Sequence, residues 1–186
     1  MTGGHLRLVV CGAGPAADIG RLLEIARGRS WTTSVTATTS ALGFIDVAAV
    51  EEFSGQPVRT SYQHPPAEPR VLPDVDAVVV APATYNTINK LASGIADTYP
   101  LTSVAELIGR GVPTVVVPFV NAALAARAPF RLSVAGLRDE GVRVVSGPGD
   151  GWEPHPPGAG GARQQVFPWQ MAFDLARELA QRRAHR

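Results

Sequence analysis

Short apolar runs alternate with amphipathic stretches along this chain of 186 residues. The apolar runs are rich in Val and Leu and too short for helices, which is typical of strands buried on both faces of a parallel sheet. They predict strands at residues 6–11, 31–37, 75–81, 113–117 and 142–145, with a further short strand at 57–62. The amphipathic stretches predict helices at 18–29, 41–53, 84–98, 102–110, 122–140 and 166–183.

Strands that alternate with helices favour right-handed crossovers and a parallel sheet covered on both faces. The sequence therefore predicts an α/β fold, a doubly wound sheet in three layers of flavodoxin-like or Rossmann-like type, with 1–186 as a single domain. Pro129 is expected to kink or split the 122–140 helix. The Gly/Pro-rich segment 147–165 lacks periodicity and is expected to be a flexible loop, either disordered or a binding lid.

Composition and charge exclude several kinds of partner and site. The formal net charge is +1, with 17 Lys and Arg against 16 Asp and Glu, so there is no basic field to attract nucleic acid. The single cysteine, Cys11, excludes an intramolecular disulfide and lies in an apolar run, where a small buried side chain is expected. No apolar run approaches the ~20 residues of a membrane helix, and residues 1–7 do not resemble a signal peptide. We therefore predict a cytoplasmic protein with no membrane partner.

Ligands of open parallel sheets bind beyond the carboxyl ends of the strands. Gly12, Ala13 and Gly14 follow the first strand, where glycines allow close approach of an anion or serve a tight turn. Hydroxyl side chains, including Thr38 and Ser40, follow the second strand, where they can cap the next helix, bind a phosphate, or do both.

The segment after the predicted central strand is the most informative one. The strand stops at Pro82, and Asn86, Thr87 and Asn89 follow at the start of a helix. These three residues are poor helix formers, so their presence indicates that side chains or free N–H groups there face a ligand.

Residues 82–87 read Pro-Ala-Thr-Tyr-Asn-Thr, and residues 88–97 read Ile-Asn-Lys-Leu-Ala-Ser-Gly-Ile-Ala-Asp. These runs resemble the signature of the homo-oligomeric flavin-containing cysteine decarboxylases. That family includes phosphopantothenoylcysteine decarboxylase, the lantibiotic peptidyl-cysteine decarboxylases and the flavin prenyltransferases. The resemblance covers roughly residues 6–145. It implies a flavodoxin-like fold and FMN held at the subunit contacts of a homo-trimer or larger homo-oligomer.

The resemblance also implies which residues bind FMN. Gly12, Ala13 and Gly14 match the loop at the phosphate side of the cofactor. Thr38, followed by Ala41 and Phe44, matches a pattern whose hydroxyl contacts the phosphate region. The residues that match the cradle of the isoalloxazine ring are Ala83, Thr84, Tyr85 and Asn86.

The implied activity is oxidative decarboxylation of a cysteine-like thiol acid, presented by a small molecule or a peptide. His64 lies in the region of the catalytic histidine, although a Pro-rich insert separates it further from Asp76 than the family pattern has it. Asn121 is the retained group able to bind a carboxylate or amide, but the Met and Trp that accompany it in the family are missing.

Two departures keep other functions open. The late segment 147–163 lacks the reactive cysteine of phosphopantothenoylcysteine decarboxylase. Arg127 and Arg163 are candidates for the prenyl phosphate site of a flavin prenyltransferase. The alternatives are therefore a prenyltransferase-like or other pathway-specific FMN enzyme, or a flavin-binding subunit without catalytic activity. No metal site is predicted.

Overall fold

The computed structural model describes residues 3–62 and 74–185, and its sheet has five parallel strands in the order β2-β1-β3-β4-β5. The strands are β1 (His5–Val10), β2 (Thr32–Ala37), β3 (Ala77–Ala83), β4 (Thr114–Pro118) and β5 (Arg143–Val144). They agree with five of the predicted strands. The sixth prediction is wrong, because segment 57–62 contributes a bridge between Arg59 and Thr36 rather than a strand.

Eight α-helices accompany the sheet in the described ranges: α1 (Gly20–Gly28), α2 (Val47–Ser54), α3 (Tyr85–Ala92), α4 (Tyr99–Gly109), α5 (Ala122–Ala125), α6 (Ala128–Asp139), α7 (Gly160–Gln165) and α8 (Trp169–Ala184). Pro129 separates α5 from α6, as predicted, since a proline is tolerated in the first helical turn but not further along. Within the described residues, no helix is both long and apolar enough to cross a membrane.

Two predicted helices are shorter than expected. Helix α3 stops at Ala92 because Gly94 takes a left-handed conformation, with φ of +69°, that terminates a helix. Ile95 is consequently 44% exposed instead of facing the core. Residues 39–43 form a 3-10 turn, and α2 begins only after Asp46, whose carboxylate accepts a hydrogen bond from the Ala49 N–H at 3.1 Å.

The sheet separates two apolar cores, which gives the predicted three layers. One core joins Leu6, Leu8 and Val10 to helices α1, α2 and α8. The other joins Val9 and neighbouring strand residues to helices α3, α4 and α6. Strands β3 and β4 are therefore buried on both faces, which explains why they are nearly continuous apolar runs in the sequence.

The strand order reverses direction between β1 and β3. In doubly wound sheets the crevice for a ligand opens at this reversal, beyond the carboxyl ends of the strands. The loops that follow β1, β2, β3 and β4 are therefore the ones that matter for a binding site.

The late segment 147–165 was predicted to lack regular structure. It instead packs onto the sheet and contains helical turns. It contains a 3-10 turn at Pro148–Asp150 and helix α7. Trp152 is buried, and its indole N–H donates to the carbonyl oxygen of Pro118 at 2.8 Å. The Arg163 guanidinium lies 3.9 Å from the centre of the Trp152 ring system. The segment thus covers the carboxyl end of β4, and its flexibility stays a prediction.

Asp150 anchors this late segment and supports a first prediction. Its carboxylate accepts hydrogen bonds from the Arg143 guanidinium and, at 2.8 Å, from the Ser146 N–H. The Arg143 hydrogen bond is the main cause that lowers the pKa of Asp150 below its ordinary 3.8. This stabilisation is therefore complete above pH 3.8 and is lost as the pH falls through the lower pKa of the folded state.

Asp150→Asn is expected to lower the free energy of unfolding at pH 7 by about 1–3 kcal/mol, because a charged acceptor of these hydrogen bonds is lost. Urea denaturation at pH 7 and at pH 3 measures the effect, and the difference from the parent should shrink at pH 3. Exposed Asp139 provides the control, since Asp139→Asn should leave stability unchanged. Equal stability of the Asp150 variant and the parent at pH 7 would contradict the anchoring role.

Candidate functional site

The loops after β1 and β2 approach each other closely at the reversal of the sheet. A Cβ atom at Gly12 would lie 2.7 Å from Ser40 Cβ and 2.8 Å from the Ser40 carbonyl oxygen. A Cβ atom at Gly14 would overlap the side chain of Gln164 on α7. Gly12 is thus needed for packing between loops, whereas the Gln164 side chain can move away from residue 14. The Ala13 N–H closes a turn by donating to Cys11 O at 2.9 Å. A phosphate contact of this loop stays a prediction.

Thr38 presents an unsatisfied hydroxyl group at the end of β2. Its backbone N–H donates to the Val10 carbonyl oxygen at 2.9 Å and ties this loop to β1. Its Oγ1 is buried and has no hydrogen-bond partner among the described residues, and it does not cap the 3-10 turn that follows. Buried hydroxyls are nearly always paired, so this oxygen has hydrogen-bonding capacity left over.

The loop after β3 starts helix α3. Thr84 caps that helix, since its Oγ1 accepts from the Thr87 N–H at 3.3 Å. Tyr85 stacks on Phe130 with ring centres 5.8 Å apart, and Ala83 is fully buried. These three side chains contact protein, while Thr84 and Tyr85 are only half-buried, so their part in a ring cradle stays a prediction. Asn86 differs, because its side chain is exposed.

A cavity of about 490 Å³ lies between these loops and the start of α4. Its volume is in the usual range for small-molecule sites. Its walls carry hydroxyl, amide and phenol groups, and the lining residues are Thr38, Thr39, Ser40, Thr60, Ser61, Tyr62, Asn86, Ala96, Asp97, Thr98, Tyr99, Pro100 and Thr102. The fold therefore brings together three predicted cofactor residues, Thr38, Ser40 and Asn86.

The other predicted cofactor residues lie outside this lining. Gly12, Ala13 and Gly14 lie at the neighbouring strand end, and Phe44 is a 45% exposed side chain beyond the 3-10 turn. Three or more metal-binding side chains do not cluster anywhere in residues 3–62 and 74–185.

Asn121 follows β4 and begins helix α5. Its Oδ1 accepts a hydrogen bond from the Leu124 N–H at 2.9 Å, so one end of the amide caps the helix and the NH₂ group is left to donate elsewhere. His64, the other predicted catalytic residue, lies outside the described residues.

A histidine that sequence reasoning missed lies beside Asn121. The Ala122 N–H donates to the His155 carbonyl oxygen at 2.8 Å, and the His155 ring packs against Phe119 with centres 4.9 Å apart. His155 Nδ1 lies 2.9 Å from the Pro156 carbonyl oxygen. Because a carbonyl only accepts, Nδ1 carries the proton and Nε2 of the neutral ring is an acceptor. His155 reaches Asn121 through the pairing of the late segment with residue 121, and no local sequence pattern predicts that pairing.

Cys11 has the structural role that the sequence predicts. It is 1% exposed, and burial raises the pKa of its thiol. A thiol held in the neutral form is a poor nucleophile, so the site has to be built from hydroxyl, amide and imidazole groups.

Known proteins share both sequence and fold with this chain. The coenzyme A biosynthesis bifunctional protein CoaBC of Mycobacterium bovis is 37% identical over 114 residues, which are 60% of this chain and 27% of that protein. The chain thus spans well under half of the length of the curated relatives it matches.

Solved structures agree on the fold. The FMN-dependent cysteine decarboxylase TvaF from thioviridamide biosynthesis superposes with a TM-score of 0.74 at 24% identity, over 95% of this chain and 98% of that one. The epidermin biosynthesis protein EpiD from Staphylococcus aureus gives 0.62 at 24% identity, over 75% and 81%. These likenesses confirm the predicted flavodoxin-like architecture. A sequence profile described as Flavoprotein matches residues 1–158, and the chain therefore belongs to the flavoprotein family.

Proposed function

We propose that this protein binds FMN in the crevice at the carboxyl ends of β1, β2 and β3 and oxidatively decarboxylates a substrate ending in cysteine or a similar thiol acid. The observation that carries the proposal is the family match over residues 1–158 together with a hydroxyl-lined cavity at the reversal of the sheet. Two of the similar solved structures are FMN-dependent cysteine decarboxylases, which supports the same chemistry.

The residues present fit the cofactor. Thr38 Oγ1 is a buried donor without a partner, and Ser40 adds a second hydroxyl on the same wall, so this wall suits the phosphate and ribityl groups. The first N–H groups of α3 have no partner inside the helix and suit a polar edge of the ring system, with the Asn86 amide beside them. Bound in its oxidised form, FMN supplies a two-electron acceptor.

The groups after β4 serve the substrate. We assign the Asn121 NH₂ group to the substrate carboxylate, because its Oδ1 is already occupied by the helix cap. His155 Nε2 is an acceptor beside Asn121 and can hold the proton that leaves a substrate thiol. His64 stays a second candidate for proton transfer.

Flavin reduction tests the activity directly. The full chain, saturated with FMN under anaerobic conditions, is mixed with a peptide ending in cysteine or with phosphopantothenoylcysteine. The expected result is loss of the visible absorbance of oxidised flavin, together with a product lighter by carbon dioxide and two hydrogens. A peptide ending in serine and a cysteine peptide with an amidated C-terminus are the controls and should do nothing. If no thiol acid reduces the bound flavin, the decarboxylase proposal fails.

The identity of the extracted cofactor separates the alternatives. Mass spectrometry should find unmodified FMN, whereas a prenylated flavin would favour a prenyltransferase-like function. A homo-trimer or larger assembly in the cytoplasm is part of the proposal, and sedimentation of the FMN-loaded protein tests the assembly.

Thr38→Val should weaken FMN binding at least about tenfold, because a hydrogen bond to a charged phosphate is lost. Stability without FMN should not fall, since this hydroxyl makes no hydrogen bond among the described residues. Thr36→Val is the matched control: Thr36 Oγ1 is equally buried and unpaired in the described structure but does not line the cavity. Equal FMN affinity of the two variants, measured by flavin fluorescence titration, would rule out a role for Thr38.

A further inference from the structure

Arg7 is a charged residue in the middle of β1 that nothing in the proposed function uses. Only 5% of it is exposed. Its Nε donates to Ser34 Oγ at 2.9 Å and its Nη1 donates to Ser103 Oγ at 3.2 Å. Both partners are neutral, and no carboxylate of the described residues lies within 4.0 Å of it. A guanidinium group has five donors, so most of its hydrogen-bonding capacity is left over.

A buried cation that pairs with no carboxylate is unfavourable for stability, and for Arg7 the Tyr99 phenol and the Glu106 carboxylate offset the burial only in part. Removing a guanidinium from water costs free energy that neutral hydroxyl partners only partly return. Burial accordingly lowers the pKa of Arg7. An apolar side chain such as methionine would fill this position on β1 at lower cost, so the charge indicates a ligand of opposite charge.

Arg7 opens onto a cavity of about 410 Å³ on the side of the sheet that carries α4. Arg59 also lines this cavity, and its Nη1 donates to the Tyr99 hydroxyl oxygen at 3.2 Å. Arg110 and Glu106 in the wall pair with each other at 3.7 Å, and Asp74 at the rim is exposed. Arg7 and Arg59 therefore leave an excess of positive charge facing the cavity.

Hydroxyl groups complete the lining. Ser103 holds one arm of the Arg7 guanidinium, and Tyr62, Tyr99 and Thr102 contribute further polar groups. The last three residues also line the cavity assigned to FMN, so the two cavities adjoin. Two guanidinium groups with adjacent hydroxyls form a pattern that recognises the oxygens of a carboxylate or phosphate.

We propose that the cavity between β1 and α4 binds the oxyanion group, carboxylate or phosphate, of a small-molecule ligand through Arg7 and Arg59. This site is separate from the FMN phosphate contacts at Thr38 and Ser40 and does not depend on the proposed decarboxylase activity.

Isothermal titration of the full chain saturated with FMN tests the proposal, since the cofactor's own phosphate site is then filled. Inorganic phosphate and acetate are titrated separately, which tells a phosphate from a carboxylate site. We expect saturable binding of at least one of them. Arg59→Gln should weaken that binding at least about tenfold, because a charge-assisted hydrogen bond is lost. Arg21→Gln on the exposed face of α1 is the matched control and should bind as the parent does.

Arg7→Met gives a second, independent readout. It should abolish anion binding while the midpoint of thermal unfolding stays the same or rises, because a buried uncompensated charge is removed. FMN affinity should stay within about twofold, since Arg7 does not line the cavity assigned to FMN. A merely structural arginine would instead lower the midpoint and leave anion binding intact.

Three results would overturn the proposal. One is the absence of saturable phosphate or acetate binding to the FMN-saturated parent. Another is unchanged anion affinity in both variants. The third is loss of the homo-oligomer in both variants without any anion binding by the parent, which would assign Arg7 to a contact between copies of the chain.

Discussion

Replacement of Gly12 by alanine is expected to lower the free energy of unfolding by about 1–3 kcal/mol, the usual cost of forcing a methyl group into a packed site. The new Cβ would lie 2.7 Å from Ser40 Cβ and 2.9 Å from the Ser40 carbonyl carbon. Backbone atoms cannot turn aside as a flexible side chain can, so the loops after β1 and β2 must separate. Because Thr38 and Ser40 belong to the displaced loop, FMN affinity should fall at least about tenfold with it.

Gly43→Ala is the matched control for this substitution. Gly43 lies in the same 3-10 turn as Ser40, but a Cβ atom there would meet no other atom within 4 Å. Urea denaturation and flavin fluorescence titration of both variants separate a local clash from a general sensitivity of the loop. A Gly12 variant as stable as the Gly43 variant would show that the loops are not held at this spacing.

The central strands β3 and β4 could be predicted from the sequence because they are buried on both faces. Val78, Val79 and Val80 pack in turn against opposite cores, so the run needs no polar residue and stands out from its surroundings. The end of α3 was missed for a different reason. Apolar residues at helical spacing continue past Gly94, and only the backbone shows that this glycine terminates the helix.

The residues of the candidate cavity that could be predicted are those that follow short local sequence patterns. Thr38, Ser40 and Asn86 follow strand ends in the sequence, and parallel strands bring such ends to one edge. Side-chain roles were harder to predict, because capping and ring stacking compete for the same groups. Thr84 serves as a helix cap and Tyr85 stacks on Phe130. Their part in the predicted ring cradle stays a prediction.

Long-range pairing lies beyond such patterns. His155 comes beside Asn121 only because the late segment, fixed by Trp152 and Asp150, adds a bridge at the end of β4. The surroundings of Arg7 could not be predicted from the sequence for a related reason. Arg7 interrupts an apolar strand in the sequence, yet only the fold shows that Arg59 shares its cavity and that no carboxylate of the described residues pairs with it within 4.0 Å.

Asn121→Asp is expected to reduce decarboxylation at least about 100-fold, because the substituted carboxylate repels the substrate carboxylate and the NH₂ donor is lost. Aspartate caps a helix as well as asparagine does, so the hydrogen bond from the Leu124 N–H is kept and the fold should be unchanged. FMN affinity should also match the parent, since Asn121 does not line the cofactor cavity.

Asn121→Ala separates the two functions of this side chain. It removes the cap as well as the donor and should cost about 1 kcal/mol of stability in addition to activity. Steady-state kinetics with a cysteine-terminated peptide, read beside urea denaturation, gives both quantities. A residue that only capped α5 would leave the Asp variant fully active and slow the Ala variant through instability alone. A residue that binds substrate gives the opposite order, in which the stable Asp variant is at least as impaired as the destabilised Ala variant, since only the aspartate adds a repelling charge.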